Sequence, residues 1–381
     1  QSLDADPIPA VGSWASGGNM NTARYRMQGG MGTYNTAYAV GGATPAKANV
    51  ESYNGSAWTE TTDIPTARSD IGAGGTATAG FALGGEPLNP SPGVSTLLEW
   101  GGSSWTTGGS YPRESARAAP AGTQTAAIFI GGSTYPYGDQ TVETYTYNGT
   151  AFAEGADYPT IIANGGAAGT STATIVEGGY TPAGSSGQQS HTYNGSAWTE
   201  APDMNNPHTE HGFGQKGTTT SALSFGGEPN SANVESFNGT SWTEQNNLST
   251  GRSAGGSTGT LNNSLYFGGS NPPPATTATE EWTIPPSTSS TLVEGDMWFN
   301  TTSNTLKVYG AAAAVPAATW ASGTAMSTSR SNHAAFGTQS ANVVSGGGTA
   351  NCEEYDGSSW SEQNNPVNGG TTESGSAGTA T

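Results

Sequence analysis

The chain keeps rewriting one short phrase. Val50-Glu51-Ser52-Tyr53-Asn54-Gly55-Ser56-Ala57-Trp58-Thr59-Glu60 returns at 146–152, 192–200 and 234–244, and more loosely at 98–105 and 354–360. Asn-Gly or Asp-Gly between two short aromatic-bearing segments predicts strand, turn, strand, with a type I′ turn that needs positive φ at both central residues. A second marker keeps time with the first: an apolar segment ending in Gly-Gly, whose first glycines are Gly41, Gly84, Gly131, Gly178, Gly226, Gly268 and Gly346. Their spacings are 43, 47, 47, 48 and 42 residues, then 78, so the last gap holds an insertion. One hairpin is marginal alone, whereas copies in register can stack into a shared core.

A period in the forties with about four short strands per period is the signature of a β-propeller blade. The diglycine, the spaced aromatic and the following Trp resemble the kelch repeat over most of 23–283 and over 319–362. The resemblance implies an all-β, kelch-type β-propeller and leaves function open, because such propellers include enzymes, adaptors and surface-binding proteins. The reading that follows has an entry segment at 1–22 with one strand around Trp14, and blades 1–6 over 23–283. A linker with a β-hairpin insertion fills 284–318, and a seventh blade with a terminal strand fills 319–381. Seven blades in one ring is the preferred count. The alternative is six blades plus the start of a second unit, since 318–330 echoes the phrase from Trp14 to Arg24 and the last four residues repeat 75–78. Blade 6 ends early, at Glu280-Glu281-Trp282.

Low charge with abundant Gly, Ser, Thr and Asn raises the question of disorder. Ten Trp and fifteen Tyr in a strict period answer it, because a disordered chain has little use for regularly spaced aromatics. The net charge of −19 repels nucleic-acid phosphates and anionic membranes, so neither nucleic acid nor membrane insertion is expected. Cys352 is the single cysteine, which rules out an intramolecular disulfide, and its strand context reads as packing. The chain starts at Gln1 without a basic leader, so a leader is expected to have been removed or the chain to begin within a longer protein.

The insertion carries the phrase Gly295-Asp296-Met297-Trp298-Phe299-Asn300, a polar turn, then Leu306-Lys307-Val308-Tyr309. It resembles a short motif of bacteriophage fibre and tail-associated proteins. That resemblance implies a virion-surface or extracellular location.

Basic residues are scarce, ten in all, and five fall at one phase of the repeat: Arg24, Arg68, Arg113, Arg252 and Arg330, with His211 at a nearby phase. One reading is a ring of cationic groups at a channel mouth that captures an anionic sugar or carboxylate. The favoured reading is that each Arg pairs with a repeated strand acid such as Glu51, Glu99, Glu143, Glu235 or Glu353, or with blade-joining carbonyls. Most repeated Tyr and Trp read as inter-blade core, whereas Tyr135, Tyr137 and Tyr180 lie out of phase in long loops and are better ligand candidates. The four Asn-Gly-Ser/Thr sequons read as turn chemistry before glycosylation. No catalytic residues, metal ligands or cofactor are assigned: His208 and His211 have no third ligand at a recognisable spacing, Cys352 lacks the partners of a copper-radical site, and Asp356-Gly357-Ser358-Ser359-Trp360 departs from the sialidase Asp-box.

The resulting expectation is a non-enzymatic phage fibre or adhesin module, homo-oligomeric, that binds a bacterial surface polysaccharide or receptor and contacts other virion subunits. Two alternatives stand beside it. One is a filament or capsid-decorating subunit joined by strand exchange through 374–381, and the other is a glycan-acting hydrolase.

Overall fold

The computed structural model describes residues 11–43, 45–87, 93–134, 139–180, 187–270, 274–285, 297–300, 305–308, 324–329, 333–338, 340–346 and 351–364. Every regular element among them is a β-strand, and the chain divides into two units, 1–291 and 292–381.

The repeated phrase forms antiparallel hairpins in which Tyr53 faces Trp58, Tyr193 faces Trp198 and Phe237 faces Trp242. Each pair is a tilted ring contact, with centroids 5.0, 4.8 and 5.1 Å apart. The turn differs from the type I′ expectation, for only its glycine takes positive φ, 90° at Gly55 and 93° at Gly195. Asn54 works through its side chain instead. Its Oδ1 accepts the N–H groups of Ser56 and Ala57 (3.0 and 2.9 Å) and the Ser56 hydroxyl (3.0 Å). Asn194 and Asp356 repeat this arrangement. An acceptor, a positive-φ residue and a small donor are the recipe of a four-residue Asx loop, which accounts for the sequon-like spelling.

In the first unit the four-strand pattern recurs six times. Sheet I comprises Met31–Thr33, Thr36–Val40, Val50–Tyr53 and Trp58–Glu60. Sheet II comprises Ile71–Gly75, Gly80–Leu83, Val94–Trp100 and Trp105–Ser115, with Met27–Gln28 added in parallel. Sheet III takes Ala119–Thr123, Ala126–Ile130, Thr144–Tyr147 and Phe152–Glu154. Sheet IV takes Ala163–Thr170, Ala173–Tyr180, Ser190–Tyr193 and Trp198–Ala201. Sheet V takes Gly212–Phe213, Ala222–Phe225, Val234–Phe237 and Trp242–Glu244. Sheet VI has only three consecutive strands, Gly256–Gly259, Asn263–Phe267 and Thr279–Thr283. Its fourth comes from the entry segment: Ser13–Ser16 pairs with Thr279–Thr283, and Trp14 lies opposite Trp282. That is why the sequence of the sixth repeat ends early.

Apolar side chains on the two faces of each sheet go to different cores, as the two-residue strand period requires. In Ala126–Ile130, Ala127 and Phe129 pack towards sheet II with Phe81 and Leu97, while Ile128 and Ile130 pack towards sheet IV with Val176. Burial on both faces explains the unbroken apolar run. The same division holds at every step. Among the described residues the cores join sheets I–II, II–III, III–IV, IV–V and V–VI, and a last one sets Leu265 and Phe267 of sheet VI against Ala39, Tyr53 and Trp58 of sheet I. The sheets therefore form a closed cycle with their first strands innermost, a β-propeller-like arrangement.

The diglycines sit at the crossing between sheets. Both glycines of each of the six pairs in the first unit take positive φ, and the second donates to a carbonyl at the entry to the next sheet: Gly42 to Arg68 (2.8 Å), Gly85 to Ser115 (2.9 Å), and so on to Gly269, which returns to Arg24 (2.9 Å). A Cβ on Gly84 would lie 2.1 Å from the Ser115 carbonyl oxygen. Glycine is needed there for space as well as for φ.

In the second unit, Met297–Asn300 pairs with Thr305–Val308, the hairpin expected for the insertion. A further four-stranded sheet comprises His333–Thr338, Ala341–Gly346, Cys352–Tyr355 and Trp360–Gln363. Gly346, the first glycine of the seventh diglycine, ends its second strand.

Candidate functional site

The predicted cationic residues are placed first by their partners. Arg24 is fully buried and donates to Glu51 Oε1 (3.0 Å) and the Asn49 carbonyl (2.6 Å). Arg68 is buried and donates to the Gly84 and Thr96 carbonyls (3.1 and 3.3 Å). Arg252 is buried, donates to the Tyr266 carbonyl (3.2 Å), pairs with Glu280 (2.9 Å) and lies over the Tyr266 ring. His211 is buried against Glu177. Arg113 is partly exposed and pairs with Glu143 (3.1 Å).

Arg24, Arg68 and Arg252 therefore serve their own sheets, while His211 and Arg113 reach an acid of a neighbouring repeat, and among the described residues these side chains do not form a ligand-facing ring. The strand acid is the common partner, and it also clamps the linker before its sheet: Glu51 accepts the N–H groups of Asn21 and Thr22, and Glu235 those of Asn205 and Asn206. Burial opposes the charge on Glu235, yet hydrogen bonds from His208, Asn205 and Asn206 hold it down to about 2. The carbonyls in the diglycine register are those of Arg68, Ser115, Ile162, His208, Arg252 and Arg24. Hence His208, not His211, shares the Arg position in sheet V, and Arg113 lies two residues out of phase. Arg330, Tyr135 and Tyr137 lie outside the described residues.

Two residues beyond each of those six positions lies a ring the sequence reading did not find. Arg26, Asp70, Arg117, Asn164, Glu210 and Ala254 all have positive φ, between 50 and 63°. Their backbones are joined head to tail: Asp70 N–H donates to the Arg26 carbonyl (2.8 Å), Arg117 to Asp70 (3.0 Å), Asn164 to Arg117 (2.9 Å), Glu210 to Asn164 (3.2 Å) and Ala254 to Glu210 (2.6 Å). Met27 N–H closes the ring on the Ala254 carbonyl (3.3 Å). Left-handed backbone costs an L-residue about 1–2 kcal/mol, and such strain collects where surrounding structure enforces it. Here the closed ring enforces it at the entry of every innermost strand.

The ring's side chains make a charged floor. Asp70 lies between Arg26 (3.4 Å) and Arg117 (3.5 Å). Asn164 donates to Glu210 Oε1 (3.1 Å), and the Tyr180 hydroxyl reaches the same oxygen (3.5 Å). Tyr180 is thus placed at this mouth. Burial, reinforced by the neighbouring Asp70 charge, pushes the Glu210 carboxyl up to about 7. Burial also raises Asp70, against the pull of Arg117 and Arg26. Buried, perturbed carboxyls beside a cavity mark a candidate site.

A cavity of about 530 Å³ opens beside this floor, lined by Tyr25, Glu210, Glu228, Asn230 and Ser253 among others. Below it the axis is crossed from side to side: Gln28 donates to Asn164 Oδ1 (2.8 Å), and Gln215 to the Ala73 carbonyl (3.0 Å). Each bond joins elements on opposite sides of the cycle, so the two ends of the axis are separate recesses. No cluster of three or more His, Cys, Asp or Glu suited to a metal occurs among the described residues.

No family model matches the chain, and no curated protein matches it. Solved structures do, 258 chains in all, so the fold is a widely used one and function has to be argued from the site. One match is described as the structure of YjhT, with a TM-score of 0.57 at 13% identity, covering 68% of this chain and 95% of that one. At that identity the likeness concerns the fold alone.

Proposed function

We propose that this protein is a non-catalytic carbohydrate-binding propeller of a virion or other extracellular surface, which holds a bacterial surface glycan in the recess above the left-handed ring. The observation that carries the reading is the cavity of about 530 Å³, whose lining of Tyr25, Glu210, Glu228, Asn230 and Ser253 combines an aromatic ring with polar groups suited to a polyhydroxylated ligand. Location rests on the resemblance of 295–309 to phage fibre proteins. Binding through several copies, as a homo-oligomer or on a particle, compensates for modest single-site affinity. As architecture we take the six-sheet cycle over 13–283 to be the complete propeller, with the seventh diglycine repeat opening a further unit. The six joined cores and the entry strand that completes sheet VI support this count over the seven-blade ring.

The test is a bacterial polysaccharide array followed by calorimetry on the best ligand. Tyr25→Ala is expected to weaken binding at least about tenfold without lowering thermal stability, and Asn230→Ala to weaken it likewise with some loss of stability, since asparagine tolerates the left-handed backbone at 230 better than alanine does. An array without binders, or variants that bind as the parent does, overturns the reading. A second reading, a glycan-acting hydrolase, is favoured by one observation, the Glu210 carboxyl raised to about 7. Release of reducing ends from an array ligand, abolished in Glu210→Gln, would establish it in place of the first.

A further inference from the structure

The cavity beside the left-handed ring is one-sided in charge. Two carboxylates line it, Glu210 and Glu228, and no Lys, Arg or His does so among the described residues. Main chain brings the two acids together, because the Glu228 N–H donates to the carbonyl of Thr209, the residue before Glu210 (2.9 Å). The guanidinium groups of Arg26 and Arg117 lie instead against Asp70 in the floor (3.4 and 3.5 Å).

Each acid is held through one oxygen. Glu210 Oε1 accepts from the Asn164 amide (3.1 Å) and the Tyr180 hydroxyl (3.5 Å), and Glu228 Oε1 accepts from the Ser253 hydroxyl (3.1 Å). Among the described residues the second oxygen of each has no hydrogen-bond partner, and neither acid has an ion pair. Neighbouring carboxylates without a cation disfavour each other's charge. The Glu210 carboxyl records this: burial, then the charges of Asp70 and Glu228, push it up to about 7 against the pull of Arg117 and Arg26.

Resting on the carbohydrate reading above, we propose that this recess selects an amino sugar with a free, protonated amine, the ammonium lying between Glu210 and Glu228 and the ring hydroxyls against Asn230 and Ser253. An ammonium brings three donors and no acceptor, which suits carboxylate oxygens that still have room to accept. Such charge-assisted bonds are roughly twice as strong as neutral ones. Acetylation of the amine, or a hydroxyl in its place, removes the charge and leaves the acids uncompensated. A calcium ion fits less well, for it takes about six to eight oxygens and no cluster of three metal-binding side chains occurs among the described residues. The cavity of about 530 Å³ is within the usual range for small-molecule sites.

Three disaccharides with one β-1,4-linked backbone isolate the amine, since they differ only at C2: the glucosamine disaccharide, its N-acetylated form and cellobiose. In calorimetry on the full chain at about pH 6, the glucosamine disaccharide is expected to bind at least about tenfold more tightly than the other two. Glu210→Gln and Glu228→Gln should each bring the three within roughly threefold of one another. Glu210 faces Asp70, Glu228, Arg26, Arg117 and Tyr180, and its proton is the one the ammonium displaces. Binding should therefore release up to about one proton, read as heat that changes with the buffer, and Glu210→Gln should abolish the release. Equal affinity for the three sugars overturns the amine selectivity while leaving the carbohydrate reading in place, as does a polysaccharide array whose binders all lack free amines. A preference that survives both substitutions overturns it too, because the net charge of −19 would then be its cause. Trilysine that binds as tightly as the amino sugar, and loses affinity in the same variants, would make the occupant a cationic peptide instead.

Discussion

At the scale of single residues, charge in this protein is placed by backbone need. Arg24, Arg68 and Arg252 are rare cations in an acidic chain, yet each is spent on carbonyls or a strand acid inside its own sheet. Removing one partner of such a buried pair strands the other, which is the costly half of the exchange. Glu210 is different, because its carboxyl faces a cavity and stays protonated to about pH 7. The folded chain therefore holds a proton that the unfolded chain gives up near 4.5. That contribution is fully present below the unfolded value and is lost as pH rises through about 7. At roughly 1.4 kcal/mol per pKa unit its upper limit is about 3 kcal/mol, shared with Asp70, Glu228, Arg26 and Arg117, whose charges act on the same carboxyl. Melting temperature is accordingly expected to fall by several degrees between about pH 5 and pH 8. Glu210→Gln, which keeps an acceptor for Asn164, should flatten that part of the profile. Identical profiles in calorimetric scans of the two proteins would show that Glu210 ionises elsewhere.

At the scale of elements, what was legible in the sequence was what the backbone must spell locally. Diglycines and Asn-Gly loops repeat because two consecutive positive-φ residues and an Asx acceptor admit few residue types. The left-handed ring was not legible for the opposite reason. Arg26, Asp70, Arg117, Asn164, Glu210 and Ala254 share a backbone position and no side-chain chemistry, so no motif records them. Their only signal was a fixed offset of two residues from the diglycine-bonded carbonyls, which themselves read as Arg, Arg, Ser, Ile, His and Arg. The turn type was misjudged because Asn-Gly serves a four-residue Asx loop as readily as a two-residue turn. The two glycine classes separate experimentally. Gly55→Ala meets nothing nearer than 3.5 Å and is expected to cost only the left-handed penalty of about 1–2 kcal/mol. Gly84→Ala adds a Cβ 2.1 Å from a backbone oxygen, and its cost should reach roughly 3 kcal/mol or more, since main chain between two sheets has to move. Denaturant midpoints of the two variants decide this, and equal losses would mean that the crossing is looser than its hydrogen bonds indicate.

At the scale of the whole molecule, the question is where the ring ends. Counting diglycines gives seven, but a count weighs every repeat alike and cannot see which strand closes a circle. Closure is a nonlocal event: Ser13–Ser16 pairs with a strand some 265 residues later, and Trp14 packs on Phe225 and Trp282 with centroids 4.9 and 5.5 Å apart. Gly269 to Arg24 and Met27 to Ala254 seal the same seam through main chain. If six sheets are the complete ring, residues 11–285 carry the six cores and the closing bonds found among the described residues and should fold alone, unfolding in one cooperative transition with the far-ultraviolet signature of the same strands. Removing residues 1–17 from the full chain should instead open the seam. Loss of the Trp14 contacts, on a half-buried ring, is worth less than the roughly 3–5 kcal/mol of a core aromatic truncation but still destabilises the seam, and the unpaired edge of Thr279–Thr283 invites self-association. Size-exclusion chromatography and thermal melts of the two fragments separate the architectures. A fragment of 11–285 that aggregates while the full chain stays folded would place the seventh diglycine repeat inside the ring.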